Sequence, residues 1–284
     1  CLIDIIKKDK RNFEIILLSA DENYKELLKQ AKFFKVKNLI ITNPNSFNKI
    51  KKDNYSKKIK IYNDFNGFQK IFRKKIDYTM SSISGIQGLK PTIEIIKFTD
   101  KIAIANKEAI ICGWDLIQKE LKKNKTEFIP VDSEHFSVWY ALRDINKELI
   151  EKIYLTASGG PFLNYKSHQF KKINPKDALN HPKWNMGKKI SIDSATLMNK
   201  MFELIEAQRL FNIEYDKLDI IIHPDSLVHA IVEFYNGLTK FIYHETSMIV
   251  PIANAIFDGN FDINLFFKTK KKIDKIQNLK FEEV

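Results

Sequence analysis

The chain has 284 residues, 44% of them apolar, a formal net charge of +12 and two cysteines, Cys1 and Cys112. That length can bury a substantial core and points to two domains of roughly 100–200 residues. Two cysteines exclude a disulfide framework or a CxxC metal site and suit a reducing setting, and apolar runs such as Ile15 to Leu18 and Ile102 to Ala105 fall short of the roughly 18 residues of a membrane-spanning helix.

The basic excess is nearly all lysine, with arginine only at Arg11, Arg73, Arg143 and Arg209. Nucleic-acid recognition leans on arginine and interleaved aromatics, so a solvated lysine-rich surface is the favoured reading and no nucleic-acid or membrane partner is expected. Residues 1–8 mix charged and apolar side chains as a helix does and lack a signal-peptide layout. Short β-rich runs then alternate with amphipathic stretches. Strands are expected over Phe13–Leu18, Asn38–Thr42 and Lys101–Ala105, with helices over Asn23–Phe33 and Pro91–Lys97, the rhythm of βαβ units on a parallel sheet. No G-x-G-x-x-G loop occurs, so a preceding strand and phosphate loop are expected to lie outside the chain. From residue 128 the strand-like segments Phe128–Val131, Lys152–Ala157, Lys189–Ile192 and Asp219–Ile222 each end in polar residues. A long helix is expected after Ser194, capped by Asp193 and Ser194, with Leu197, Met198, Met201, Phe202 and Ile205 as its apolar stripe. Beyond Asp258 the sequence is lysine-rich and weakly patterned. The whole reads as an α/β fold.

Asp132 and Glu134 stand two apart at a strand end, where an extended backbone projects both to one face. Glu203, with Asn199 and Lys200 one turn earlier, brings a third carboxylate. Three hard oxygen donors suit Mg²⁺ or Mn²⁺; the alternative is that all three face solvent. Ser158-Gly159-Gly160-Pro161-Phe162 is either a phosphate cradle or an ordinary strand-ending turn. Ser194, Asn199 and Lys200 supply a hydroxyl, an amide and an ammonium near one helix start, which favours the phosphate reading. The loop His181 to Gly187 carries Trp184 either as a closing lid or as static packing. His223 and His229 are either catalytic groups or, as is commoner for histidine, local hydrogen-bonding groups.

Taken together, Ala105-Asn106-Lys107-Glu108, Val131-Asp132-Ser133-Glu134-His135, Ser158 to Phe162, His181 to Gly187 and Asp193 to Lys200 resemble, in order and spacing, the 1-deoxy-D-xylulose 5-phosphate reductoisomerase family. The resemblance implies an NADPH- and metal-dependent enzyme of isoprenoid precursor synthesis that converts this sugar phosphate to 2-C-methyl-D-erythritol 4-phosphate. It implies a Rossmann-like NADPH-binding domain over 1–127, an α+β catalytic domain over 128–258, and 259–284 as the approach to a C-terminal helical domain outside the chain. By position, Asp132, Glu134 and Glu203 match the metal ligands, and Ser158, Ser194, Asn199 and Lys200 match the phosphate-binding groups. Ser133, His181 and Lys107 match further substrate contacts, Lys107 and His181 among the catalytic groups, and Trp184 matches the lid residue. Asn23, Asn106, Glu108 and Gly187 match NADPH contacts. Ser133 points away from its neighbours in a regular strand, so its sharing of the site requires the chain to leave strand geometry there. A homodimer in a bacterial cytoplasm, rather than a plastid-type organelle, is the expected setting. Asp21-Glu22 replace the family's Gly and basic residue, Met201-Phe202 replace Gly-Leu with tighter packing expected, and Asp225 replaces Gln. The rival readings are a metal-dependent phosphohydrolase or phosphotransferase and a basic nucleic-acid binder.

Overall fold

The computed structural model describes residues 1–53, 58–182, 184, 187–266 and the backbone of 282–283. Two compact units are present, one comprising 1–106 and 115–128, the other 107–114 and 129–284.

In the first unit, α1 (Leu2–Lys8) precedes β1 (Leu17–Ala20), α2 (Tyr24–Phe34), β2 (Asn38–Ile41), α3 (Pro44–Asp53) and β3 (Lys60–Tyr62). The three strands form a parallel sheet in the order β1-β2-β3. Asn23 caps α2 by accepting from the Glu26 amide at 3.3 Å. The helix ends at Lys35, left-handed at φ 59°, and Leu27, Leu28 and Ala31 form its buried face. Leu39, Ile40 and Ile41 are all buried, as a strand covered on both faces requires. A second three-stranded sheet, β4-β5-β6, joins β4 (Ile76–Ser81), β5 (Thr99–Ile104) and β6 (Glu127–Pro130), with α4 (Phe68–Ile71) ahead of β4 and α5 (Leu89–Ile95) between β4 and β5. Helix α6 (Lys107–Asn124) follows β5 and is kinked at Gly113.

The second unit holds α7 (Ser133–Ala141), β7 (Ile150–Ala157), α8 (Pro175–Ala178), α9 (Lys188–Ala195), α10 (Met198–Phe211), β8 (Leu218–Ile222), β9 (Val228–Phe234), β10 (Thr239–Tyr243), α11 (Ile249–Phe257) and β11 (Glu282–Glu283). Its five-stranded mixed sheet runs β10-β9-β7-β8-β11, with β7 and β8 parallel and the other pairs antiparallel. Val138 and Ala141 of α7 and Ala207 and Phe211 of α10 bury against Ile153, Leu155, Ala230 and Val232 of the sheet. This packing fixes the starts of α7 and α10 relative to the strand ends, and the polar residues gather there.

Several sequence expectations fail in this unit. Lys189–Ile192 is not a strand but part of α9. Ile190 and Ile192 alternate, which over so short a run fits either period, and the helix wins because Ser191 N bonds Gly187 O at 3.0 Å and Lys189 pairs with Asp193 one turn on at 2.7 Å. Ser194 therefore sits in the last turn of α9 and caps nothing. The following helix begins only at Met198, after Leu197 turns left-handed at φ 59°. The expected apolar stripe of that helix is also wrong: Met198 and Met201 are 46% and 48% exposed, whereas Lys200, Glu203 and Glu206 are buried. Met201 thus adds no packing, and the inward face is charged because it looks into the site rather than into the core.

Candidate active site

Asp132 does not continue the strand. It is the N-cap of α7, its carboxylate accepting from the Glu134 and His135 amides at 3.2 and 3.5 Å. The extended-strand argument for pairing Asp132 with Glu134 is corrected accordingly. A helix start brings them together, and Ser133 shares the site because its backbone has turned helical, its hydroxyl donating to Glu134 Oε2 at 2.7 Å. Ser137, one turn on, donates to the Ser133 carbonyl at 2.7 Å and steadies that first turn.

Glu203 enters from α10. One oxygen each of Asp132, Glu134 and Glu203 lies within 4.8 Å of the others, and this is the cluster among the described residues able to hold a metal ion. All three donors are hard oxygens, and two ammonium groups already lodge among them. Lys107 Nζ, from the first turn of α6, contacts Asp132 and lies 3.3 Å from Glu203; Lys200 Nζ contacts Glu203 and lies 3.3 Å from Glu134. The pocket is built for cationic charge and fits a divalent ion. Asn199 donates its amide to Glu203 Oε1 from one turn earlier. Asn199 and Lys200, expected at a phosphate, thus stand on the carboxylate side of the site.

The electrostatics follow from burial and crowding. Burial alone would push the Asp132 carboxyl up, but Lys107 and His135 hold it well below the usual range. Burial likewise opposes ionisation of Glu134, and Lys200 and His229 outweigh it to bring the group to about 2. Burial pushes Glu203 and Glu206 upward against the pull of their cationic neighbours. His135 is carried the other way: Glu206 and Asp132 overcome desolvation and raise it to about 9.

A second group forms around Ser158. Gly159 and Gly160 are left-handed at φ 80° and 68°, and a Cβ on Gly160 would stand 3.1 Å from the Ser194 carbonyl, so glycine lets the strand-ending loop close on the end of α9. The structure thereby sets the Ser158–Gly160 loop against the main chain at Ser194, far apart in sequence. Ser158 Oγ accepts from Gly160 N at 3.2 Å and lies 3.0 Å from His181 Nε2. His181 Nδ1 accepts from the Trp184 amide at 3.0 Å, which assigns the ring hydrogen to Nε2 and makes Ser158 its acceptor. The Trp184 ring stands edge-on to His229, centroids 6.2 Å apart at 73°. Of the rest of that loop, residues 183, 185 and 186 lie outside the described residues.

The expected cofactor residues are placed as follows. Asn106 is buried and donates to the Ile83 and Gly85 carbonyls, and a Cβ at Gly88 would collide with its amide, so it fastens the loop after β4. Asn23 caps α2. Glu108 pairs with Lys189 at 3.4 Å. Gly187 caps α9 with φ −64°, a conformation open to any residue. Asp21 and Glu22, exposed after β1, accept from Thr42 at 2.6 Å and Asn43 at 3.5 Å.

Sequence reasoning assigned no site role to four residues of the second unit, although His135 stood in a motif and His229 was weighed. Glu206 follows Glu203 by three and His135 follows Asp132 by three, a helical spacing that would have put each on its neighbour's face. His229 and His244 stack at 3.7 Å and 9°, with His229 Nδ1 3.8 Å from Glu134. No short-range pattern links that pair, because the β9–β10 hairpin brings the two together.

The family described as 1-deoxy-D-xylulose 5-phosphate reductoisomerase matches residues 2–113, and its C-terminal domain matches residues 128–211. The reductoisomerase of Pelagibacter ubique (strain HTCC1062) is 54% identical over 99% of this chain and 74% of its own length. The chain belongs to the 1-deoxy-D-xylulose 5-phosphate reductoisomerase family. The homologue of Wolbachia sp. subsp. Drosophila simulans (strain wRi) is 40% identical over 99% of this chain and 71% of its own. Among solved structures, a reductoisomerase in complex with NADPH, fosmidomycin and magnesium superposes with TM-score 0.89 at 30% identity, covering 100% of this chain and 72% of that one. The Zymomonas mobilis enzyme with NADPH gives 0.87, also at 30%, covering 99% and 72%. Among the described residues no helix is long and apolar enough to cross a membrane.

Proposed function

We propose that this chain converts 1-deoxy-D-xylulose 5-phosphate to 2-C-methyl-D-erythritol 4-phosphate through the residues just described, with residues 1–127 serving NADPH, 128–258 the chemistry, and 259–284 leading towards a further helical domain. The observation that carries this reading is the convergence of Asp132, Glu134 and Glu203 within 4.8 Å in a chain of this family.

Asp132, Glu134 and Glu203 would hold Mg²⁺ or Mn²⁺. When bound, the ion supplies Lewis-acid polarisation of the substrate's carbonyl and hydroxyl oxygens, and NADPH supplies the hydride. The chain's own groups do the rest. Ser158 accepts from Gly160 and His181, so its hydroxyl hydrogen is left to donate to a phosphate oxygen, and by the family resemblance Ser194 would join it. Asn199 and Lys200 sit at the start of α10 with their side chains on Glu203, and by the family resemblance they would turn charge and hydrogen bonds to the phosphate. Lys107, clasped by Asp132 and Glu203, would orient a substrate oxygen at the same carboxylates, and Ser133 a second one. His181 and Trp184 are joined to each other and to Ser158, so phosphate binding would draw both over the substrate and exclude water. By the family resemblance, Asn23 and Asn106 of the first unit and Glu108 and Gly187 of the second would each contact NADPH.

Bacterial relatives and the family resemblance support a homodimer in the bacterial cytoplasm; sedimentation equilibrium checks the dimer. The activity is tested by following NADPH absorbance with 1-deoxy-D-xylulose 5-phosphate and Mn²⁺, using full-length protein. Metal-dependent oxidation is expected. Phosphate release with no NADPH oxidation would replace this reading with the phosphohydrolase.

A further inference from the structure

We propose that Glu206 is a positioning residue of the metal site, holding Lys107 and His135 against Asp132 without being a ligand itself. The proposal rests on the reading of Asp132, Glu134 and Glu203 as metal ligands and adds a residue that this reading does not use.

Glu206 lies one turn beyond Glu203 on the inward face of α10 and is 2% exposed. Its Oε2 stands 3.6 Å from His135 Nδ1 and 3.9 Å from Lys107 Nζ. That oxygen is buried with no hydrogen bond of its own, so its hold on both groups is charge acting at short range. Leaving a carboxylate in such a place costs several kcal/mol of lost hydration, and packing does not require it, since Ala207 and Phe211 already anchor the helix to the core. The cation-bearing neighbours are what the charge acts on.

His135 shows what is being positioned. Fully buried, it pairs with the Glu203 main-chain carbonyl through Nε2 at 2.8 Å, and its Nδ1 stands 3.0 Å from the Asp132 carboxylate as a charge contact without hydrogen-bond alignment. The ring is therefore a strut between the start of α7 and the middle of α10, the two segments that deliver ligands. Lys107 is a second strut, touching Asp132 and Glu203 from α6. Among the described residues, Glu206 is the carboxylate outside the ligand cluster that draws on both struts at once. Outer groups of this kind typically alter metal affinity by about 10- to 100-fold when changed.

The test measures Mn²⁺ itself, by calorimetry or by its electron paramagnetic resonance, on the full-length protein and its Glu206→Gln variant. A folded variant is expected to bind Mn²⁺ about 10-fold or more weakly, with NADPH affinity unchanged within about twofold, a split that general loosening of the structure would not give. Combining Glu206→Gln with His135→Gln should weaken Mn²⁺ binding no more than the worse single change, because both act through one strut. Wild-type Mn²⁺ affinity in the Gln variant, or additive losses in the double variant, overturns the role of Glu206. Should the Gln variant not fold, Glu206→Asp keeps the charge but withdraws it, and an affinity loss of at least about threefold is expected; wild-type affinity, or failure of this variant to fold as well, overturns the proposal. Wild-type protein that takes up no Mn²⁺ would instead overturn the ligand assignment of Asp132, Glu134 and Glu203.

Discussion

Acid should destabilise the second unit through His244. Its imidazole is buried, stacked 3.7 Å from His229, with Nδ1 2.8 Å from the Glu245 carbonyl. Burial first, and the neighbouring His229 second, bring its pKa down from 6.5 to about 3. The unfolded chain therefore takes up this proton before the folded one does, so the stabilising contribution is whole above pH 6.5 and shrinks as pH falls towards about 3. Each pH unit well inside that window removes about 1.4 kcal/mol. Between about pH 7 and pH 5 the loss from His244 alone comes to about 2 kcal/mol, once the partial protonation of the unfolded chain at pH 7 is included. The assay is urea unfolding followed by fluorescence at both pH values, for wild type and for His244→Gln. Wild type should lose about 2 kcal/mol more than the variant over this interval. Equal losses within about 0.5 kcal/mol would refute the reasoning and place the acid sensitivity elsewhere.

Glu203→Gln keeps the size of the side chain and removes one ligand charge, so Mn²⁺ affinity measured by calorimetry should fall by more than about 100-fold, with an unchanged circular dichroism spectrum. Trp184→Ala should raise the substrate KM by about 10-fold while NADPH affinity moves less than twofold, a split read from steady-state kinetics and cofactor fluorescence; equal effects on both would make Trp184 a packing residue. Glu22→Lys replaces an exposed carboxylate after β1 by an ammonium and should tighten NADPH by about fivefold at low salt with little change for NADH, since only NADPH carries the extra phosphate. Titration of both cofactors into the variant checks it.

Much of the molecule was legible in the chain order of its residues. The amphipathic pattern of Asn23 to Phe33, the continuous apolar run of Leu39 to Ile41 and the β-rich segments before Asp132 and Ser158 are local signals, set by backbone stereochemistry and burial over a few residues, and they located the sheets and the motifs. The motif spacing was enough to name the family. What the local signals could not decide is where a segment goes once two outcomes are locally equal. Ile190 and Ile192 fit either period until Gly187 and the Lys189–Asp193 pair made a helix of them, and the apolar residues after Leu197 look like a core stripe until α10 turns Lys200, Glu203 and Glu206 inward. Asp132 reads as a strand residue until its carboxylate caps α7. The site itself is a product of tertiary packing: a carboxylate, an ammonium or an imidazole is stable in a buried position only when opposite charges arrive from other elements. The sequence by itself determined which charged groups this protein has. Only the fold decided that Lys107, Asp132, His135, Lys200, Glu203 and Glu206 neutralise one another in a single buried cluster, because the free energy that keeps each one there belongs to its partners.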